Sequence, residues 1–174
     1  MEKIKIYLDD VRTPTDPTWE VARDYDQFVE LVTKTGLENI EMISLDHDLG
    51  ESAMMEYYNN VKDNYTLDYN NIEEKTGMDC CKFLVNLSMD KNIQLPTITV
   101  HSANPVGSHN MMGYITNYQM NCGLPQDCKR VQISFTISEE LILSPEARKA
   151  KWRRPKNKIQ NFFISNILII FSHV

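Results

Sequence analysis

Three short apolar runs constrain this chain more than any other feature, because each stops at a group of polar residues able to do chemistry. Ile4-Lys-Ile-Tyr-Leu8 stops at Asp9-Asp10, with Arg12 just beyond. Ile40 to Leu45 stops at Asp46-His47-Asp48, and Pro96-Thr-Ile-Thr-Val100 stops at His101-Ser102, with Asn104 following. Short apolar or alternating runs bounded by turn formers read as strands. Between them the spacing predicts helices. Asp26–Thr35 carries Phe28, Val29, Leu31 and Val32 and meets a Gly stop at Gly36. Thr76-Gly-Met-Asp79 reads as a capping-box variant, followed by Cys80, Phe83, Leu84 and Leu87 on one face. Asn104-Pro105 supplies a cap and a first-turn proline, with Met111, Ile115, Tyr118 and Cys122 sharing a face. Strands alternating with helices predict an open parallel α/β sheet. Ligands of such sheets sit outside the carboxyl ends of the strands. Adjacent strands lie about 4.8 Å apart, so the three polar groups would fall in one cleft.

The remaining stretches say less. Val11 to Thr18 holds Pro14 and Pro17 and reads as a loop; Trp19–Ala22 reads as a short strand. Glu51–Lys75 contains four Tyr and five Asn without a steady period, and reads as an insertion, partly helical near Met54–Val61. Val131–Ile137 alternates like a strand. The net charge of −6 is unevenly spread. Pro145–Lys158 carries seven Lys/Arg against one acid, which leaves the remainder with 11 Lys/Arg and 23 Asp/Glu, a net of −12. An acidic body disfavours an extended nucleic-acid surface, because phosphate repels it. Ile159–Val174 is apolar but, at 16 residues, shorter than the roughly 20 needed to span a bilayer. It reads as a packed terminal element or a non-native extension in preference to a membrane-surface anchor. Cys80, Cys81, Cys122 and Cys128 have no metal-finger spacing and read as reduced thiols. With no basic region leading into a long apolar stretch at the start, the expected compartment is cytoplasmic.

Each polar group has an ordinary structural explanation. Asp9 and Asp10 are turn formers, Asp46 and Asp48 can cap, His101 can be a satisfied buried histidine, and Arg12 can simply neutralise acids. Their coincidence at three strand ends favours function. Asp9, Asp10 and Asp46 offer hard oxygen ligands for a divalent metal such as Mg²⁺. His47 and His101 can serve as a general acid and base, since imidazole titrates near neutrality. Asp48 would orient His47 or assist the metal. Arg12 can hold a phosphorus centre bidentately, with Ser102, Asn104 and the N–H groups near Asn104–Gly107 as further phosphate contacts.

The strand-end acids with Ser102 resemble the phosphoacceptor receiver domain of response regulators. There the acid pair holds Mg²⁺, a later Asp accepts phosphoryl, and a Lys follows the last strand. Here the candidate strand Val131–Ile137 is followed by Ser138-Glu-Glu, without that Lys. A closer resemblance is to the cyclic-phosphate-processing receiver domain. It rests on Leu8-Asp-Asp-Val-Arg-Thr-Pro14, Trp19, Ser44-Leu-Asp-His-Asp-Leu-Gly50, Thr76-Gly-Met-Asp79, Val100-His-Ser-Ala-Asn-Pro-Val-Gly107 and Asn110-Met111, over Lys3 to Asn121. The resemblance implies a receiver-like (flavodoxin-like) three-layer α/β sandwich with a mostly parallel sheet and its first helix replaced by a loop. The expected domain is 1–124, with an insertion at 51–75 and an extension at 125–174. The implied function is a phosphoesterase acting on cyclic phosphates of nucleotides or RNA ends. The implied site is His47, His101 and Asp48 as catalytic residues, Arg12, Ser102 and Asn104 on phosphate, and Asp9, Asp10 and Asp46 on a divalent metal. The alternatives are a signalling module phosphorylated at Asp46 and a cyclic-nucleotide sensor.

Overall fold

The computed structural model describes residues 3–137; the basic stretch 145–158 and the apolar stretch 159–174 lie outside the described residues. The strands are β1 (Ile4–Leu8), β2 (Arg12–Pro14), β3 (Trp19–Ala22), β4 (Ile40–Leu45), β5 (Thr97–Val100), β6 (Lys129–Arg130) and β7 (Phe135–Ile137). Helix α1 (Tyr25–Thr35) connects β3 to β4. The insertion is α2 (Glu51–Glu56), a π-helical turn (Tyr57–Val61), α3 (Lys62–Asn64) and a 3₁₀ turn (Tyr69–Asn71). Helix α4 (Gly77–Lys91) leads to β5, and α5 (Pro105–Asn121) comes after it.

The main sheet runs β3-β1-β4-β5-β6 with every pair parallel. This is the expected flavodoxin-like order, and its direction reverses between β1 and β4. Right-handed crossovers determine which face each connecting helix covers. The steps β3 to β4, β4 to β5 and β5 to β6 all run the same way across the sheet. Their helices α1, α4 and α5 therefore form one layer, with α4 packed on both others. The face beneath them is aliphatic and in register: Ile6 beside Ile43 beside Ile98, and Leu8 beside Leu45 beside Val100. These side chains share a core with Phe28 and Val32 of α1, Cys80 and Leu84 of α4, and Met111 and Ile115 of α5. Each large apolar side chain so buried contributes roughly 1.5–3 kcal/mol.

The step from β1 to β3 runs the other way, which assigns its connection to the opposite face. As expected it contains no helix, but it is more than a loop. Arg12–Pro14 pairs antiparallel with Phe135–Ile137, and Thr15 N–H donates to the Ser134 carbonyl at 2.9 Å. The single strand expected over Val131–Ile137 is thus replaced by two pieces. The sheet's fifth strand lies earlier, at Lys129–Arg130, and the Val131 N–H closes it on the Val100 carbonyl at 2.8 Å. The chain then crosses to β2, whose Pro14 is tolerable because a two-stranded ladder is all edge. Residues 125–137, assigned to an extension from sequence, therefore complete both sheets.

The helix starts obey their caps. Asp24 accepts from Gln27 N–H at 2.8 Å, Asn104 accepts from Gly107 N–H at 2.8 Å, and Asp79 accepts from Thr76 N–H at 3.0 Å. Cys122, expected on the buried face of α5, is instead its exposed C-terminal cap, while Gln119 is buried and donates to Asp127 at 2.7 Å. The insertion folds around one carboxylate. Glu56 is 3% exposed and accepts from Asp68 N–H and from the Asn60 and Asn71 amides. Among the described residues no helix is long and apolar enough to cross a membrane.

Two glycines test this packing. A Cβ on Gly77 would lie 2.0 Å from the Asp46 carbonyl oxygen, because α4 begins against the end of β4. Gly77→Ala is expected to cost about 3 kcal/mol or more, the upper end of overpacking. Gly113, on exposed α5 surface, would meet nothing within 4 Å, and Gly113→Ala is expected to stabilise by about 0.5–1 kcal/mol. Urea denaturation of both variants checks the sign and the order.

Candidate functional site

The residues that end β1, β4 and β5 are themselves the last rungs of the parallel ladder. Asp9 N–H donates to the Ala22 carbonyl, Asp46 N–H to Leu8 and His101 N–H to Leu45, at 2.9–3.0 Å. This holds Asp9, Asp46 and His101 at one level, at the point where the sheet order reverses. Asp9 is fully buried, Asp46 7% exposed and His101 7% exposed.

Arg12 ties them together. Its Nε donates to Asp9 Oδ2 at 2.5 Å, its Nη2 to Asp46 Oδ2 at 2.6 Å, and its Nη1 to the His101 carbonyl at 3.3 Å. Asp9 Oδ1 also accepts the backbone N–H groups of Val11 and Arg12, and Asp46 Oδ1 that of His47. Burial opposes the charge on Arg12, yet Asp46 and Asp9 hold it more firmly protonated than a free guanidinium. For Asp9, burial pushes the pKa up, but the His101 hydrogen bond, the Arg12 charge and the backbone donors outweigh it and hold the carboxyl below its ordinary range. For Asp46 burial wins, and the pKa is raised despite Arg12.

His101 belongs to this group. Its Nε2 lies 3.2 Å from Asp9 Oδ2, its Nδ1 lies 2.7 Å from Ser44 Oγ, and its ring stacks on Tyr7 with centroids 4.1 Å apart. Tyr7 and Ser44 are the residues this arrangement adds to the sequence reading. Their signal was present: Tyr7, Ser44 and Thr99 stand in register on the non-aliphatic face of their strands, and His101 continues that alternation. Arg23 was also missed. It donates to the Asp9 and Arg12 carbonyls and to the Thr13 hydroxyl, fixing the turn that aims Arg12, and no local pattern announces it.

His47 falls into a second group. Its Nδ1 lies 2.6 Å from Asp48 Oδ1 and its Nε2 lies 3.1 Å from the Tyr69 hydroxyl of the insertion. Asp48 Oδ1 also accepts from the Asn104 amide at 3.1 Å, so the pair is joined to the cap of α5. The His47 ring is fully buried against Gly107, where a Cβ would come within 2.3 Å of it. No hydrogen-bond partner is shared between the two imidazoles. The two rings, expected to serve one phosphate, have different surroundings: His101 stacks on Tyr7, and His47 packs against Gly107 in the first turn of α5.

A cavity of about 480 Å³ opens on the first setting. Tyr7, Arg12, His101 and Ser102 line it on one side, and Arg130 of β6, Ile133 and Phe135 of β7 on the other. Neither His47 nor Asp48 reaches it. The Ser102 carbonyl accepts from Arg130 Nη2 at 2.7 Å, and Ser102 Oγ accepts from Asn104 N–H at 3.2 Å. Carboxylate oxygens of Asp9, Asp10 and Asp46 lie within 4.8 Å of one another and could hold a metal ion. Three hard oxygens suit Mg²⁺ in type, and Arg12, which bridges two of the three carboxylates, offsets one of their three charges.

Removing Arg12 would leave two buried carboxylates unpaired. Arg12→Ala is expected to lower stability by about 3–5 kcal/mol, and Arg12→Ala combined with Asp46→Asn to recover part of that loss, measured by chemical denaturation. Asp9 sets a pH dependence. Because its folded pKa is depressed, the unfolded chain binds more protons between the two values. The stability it contributes is complete above the ordinary carboxylate pKa of about 3.9 and is lost as pH falls toward the folded value. Asp46, raised, has the opposite sign. Denaturation midpoints measured through the acid range should therefore fall less steeply in Asp9→Asn than in the parent, and more steeply in Asp46→Asn.

Comparison with curated proteins and with solved structures gave no match. A family model described as the cyclic-phosphate processing receiver domain matches residues 4–117. The match runs from β1 through most of α5 and includes Asp9, Asp10, Arg12, Asp46, His47, Asp48, His101, Ser102 and Asn104, while β6 and β7 lie beyond it. With two thirds of its length so matched and the strand order to go with it, the chain belongs to the cyclic-phosphate processing receiver family.

Proposed function

We propose that this domain hydrolyses a cyclic phosphate ester at the carboxyl end of its sheet. The observation that carries the reading is that His101, Arg12 and Ser102 line one cavity, with the Asp9–Asp46 pair directly behind Arg12. Hydrolysis of a cyclic phosphodiester adds water to phosphorus, breaks one ring P–O bond and leaves a phosphomonoester with a free hydroxyl. His101 is the group placed to move the proton. Ser44 at Nδ1 and Tyr7 against the ring fix its orientation, and Nε2 exchanges Asp9 for water or the leaving oxygen. Arg12 and Arg130 supply positive charge toward the anion. Asp9, Asp10 and Asp46 would hold a divalent ion, which when bound polarises a phosphoryl oxygen. His47 is better suited to positioning than to proton transfer, since its ring is fully buried and does not line the cavity that His101 borders.

A second reading is a non-catalytic module phosphorylated at Asp46. One observation favours it: the sheet's last strand does end in a cation, Arg130, at a position that the alternation of Val131–Ile137 does not indicate. The Arg12 bridge and the burial of Asp46 weigh against it.

Incubation of the full chain with 2′,3′-cyclic mononucleotides and Mg²⁺, with chromatographic product analysis, tests the first reading. His101→Ala is expected to slow ring opening by about 100-fold or more, the usual contribution of a positioned acid or base. Undiminished turnover in that variant would remove His101 from the chemistry. An acid-labile phosphoryl adduct formed from a small phosphoryl donor, absent in Asp46→Asn, would decide for the second reading.

A further inference from the structure

The cavity on the Tyr7 face is larger than phosphate chemistry alone requires. Sites for organic ligands run roughly 300–1,000 Å³, and this one, at about 480 Å³, lies within that range. Its two ends differ. Toward the sheet stand Arg12, His101 and Ser102; away from it the wall is Val131, Ile133 and Phe135, with the Gln132 amide among them. Arg130 stands at the junction, anchored by its bond to the Ser102 carbonyl. Phe135 is held in place by Arg12, whose guanidinium carbon lies 5.3 Å from its ring centroid, and by backbone pairing with Pro14. An anion fits the first end. The second offers an aromatic ring, aliphatic side chains and one amide, which suits a flat, partly apolar body with hydrogen-bonding edges. Aromatic faces of this kind take nucleobases by stacking.

Resting on the cyclic-phosphate reading, we infer that the ligand is a nucleoside cyclic phosphate of mononucleotide size. Its phosphate lies between His101 and Arg130, and its base lies against the wall formed by Val131–Phe135. The choice of a mononucleotide over the end of a long RNA rests on charge. Residues 3–137, which include the whole cavity lining, carry 11 Lys/Arg against 20 Asp/Glu, a net of −9, which repels a trailing phosphate backbone. Arg130 and Phe135 stand beyond the family match at 4–117, so this recognition belongs to the chain's own C-terminal strands.

Calorimetry on the full chain tests the assignment, with a 2′,3′-cyclic mononucleotide, inorganic phosphate and a short RNA ending in a 2′,3′-cyclic phosphate as probes. Arg130→Gln and Phe135→Ala are each expected to raise the Kd for the mononucleotide about tenfold, the scale of one charge-assisted bond or one stacked base. Only Arg130→Gln should weaken inorganic phosphate. Phe135→Leu, with thermal melts of all variants, separates lost stacking from lost folding: it should keep the melt and lose affinity. Unchanged mononucleotide affinity in both Arg130→Gln and Phe135→Leu overturns the assignment, as does a parent protein that binds the RNA end but not the mononucleotide. Affinity lost in the variants of a parent that performs no hydrolysis upholds the pocket and removes the catalytic reading. Hydrolysis that persists equally in parent and variants upholds catalysis and removes the pocket.

Discussion

One guanidinium makes the functional end of this sheet possible. Parallel pairing of β1 with β4 brings Asp9 and Asp46 within 4.8 Å, out of water. At that separation two like charges repel by on the order of 3 kcal/mol even at an effective dielectric constant near 20. Arg12 answers both carboxylates with separate nitrogens and uses a third on the His101 carbonyl, a geometry that a lysine could not reproduce. The rest of the end depends on this contact. The β1–β2 turn is fixed by Arg23 so that Arg12 points inward, and His101 completes the shell of Asp9. The site is thus assembled with its two buried carboxylates bridged before any ligand arrives, and the backbone ladder sets its level.

The two faces of the sheet have divided the labour. Handedness sends three helices to the aliphatic face, where burial supplies stability. His47 and Asp48 are drawn into that side, bracing the first turn of α5 against the loop after β4. Among the described residues the opposite face carries no crossover helix, and there Tyr7 and His101 line an open cavity. The ladder of β2 with β7 turns that open face into a walled site. The two histidines therefore sit in different settings, because neighbours in space, and not in sequence, decide what an imidazole's nitrogens meet.

Much of the architecture was legible because it is written in local patterns. The apolar runs, the caps at Asp24, Thr76 and Asn104, and the polar residues at strand ends each depend on neighbours within a few positions. The errors lie where a segment's partner is distant. Val131–Ile137 alternates convincingly, yet nothing local says that Val131 ends one sheet while Phe135 enters another. The missing cation is a consequence of that misplacement: Arg130 is in plain view, but the alternation puts the end of the strand one segment later. Cys122 fits the helical period and is exposed because the helix has by then passed beyond the sheet that the period presumes.

By itself the sequence determined that acids, imidazoles and a guanidinium would gather at one end of a parallel α/β sheet, since side-chain periodicity and right-handed crossovers leave few other outcomes. Only the tertiary structure decided how they are shared out. Which carboxylates Arg12 bridges, which histidine borders open space, and what walls the cavity opposite it depend on contacts between residues up to 125 positions apart, as with Arg12 and Ile137. Such contacts are selected by the summed packing of the whole chain, and no short stretch of it encodes them.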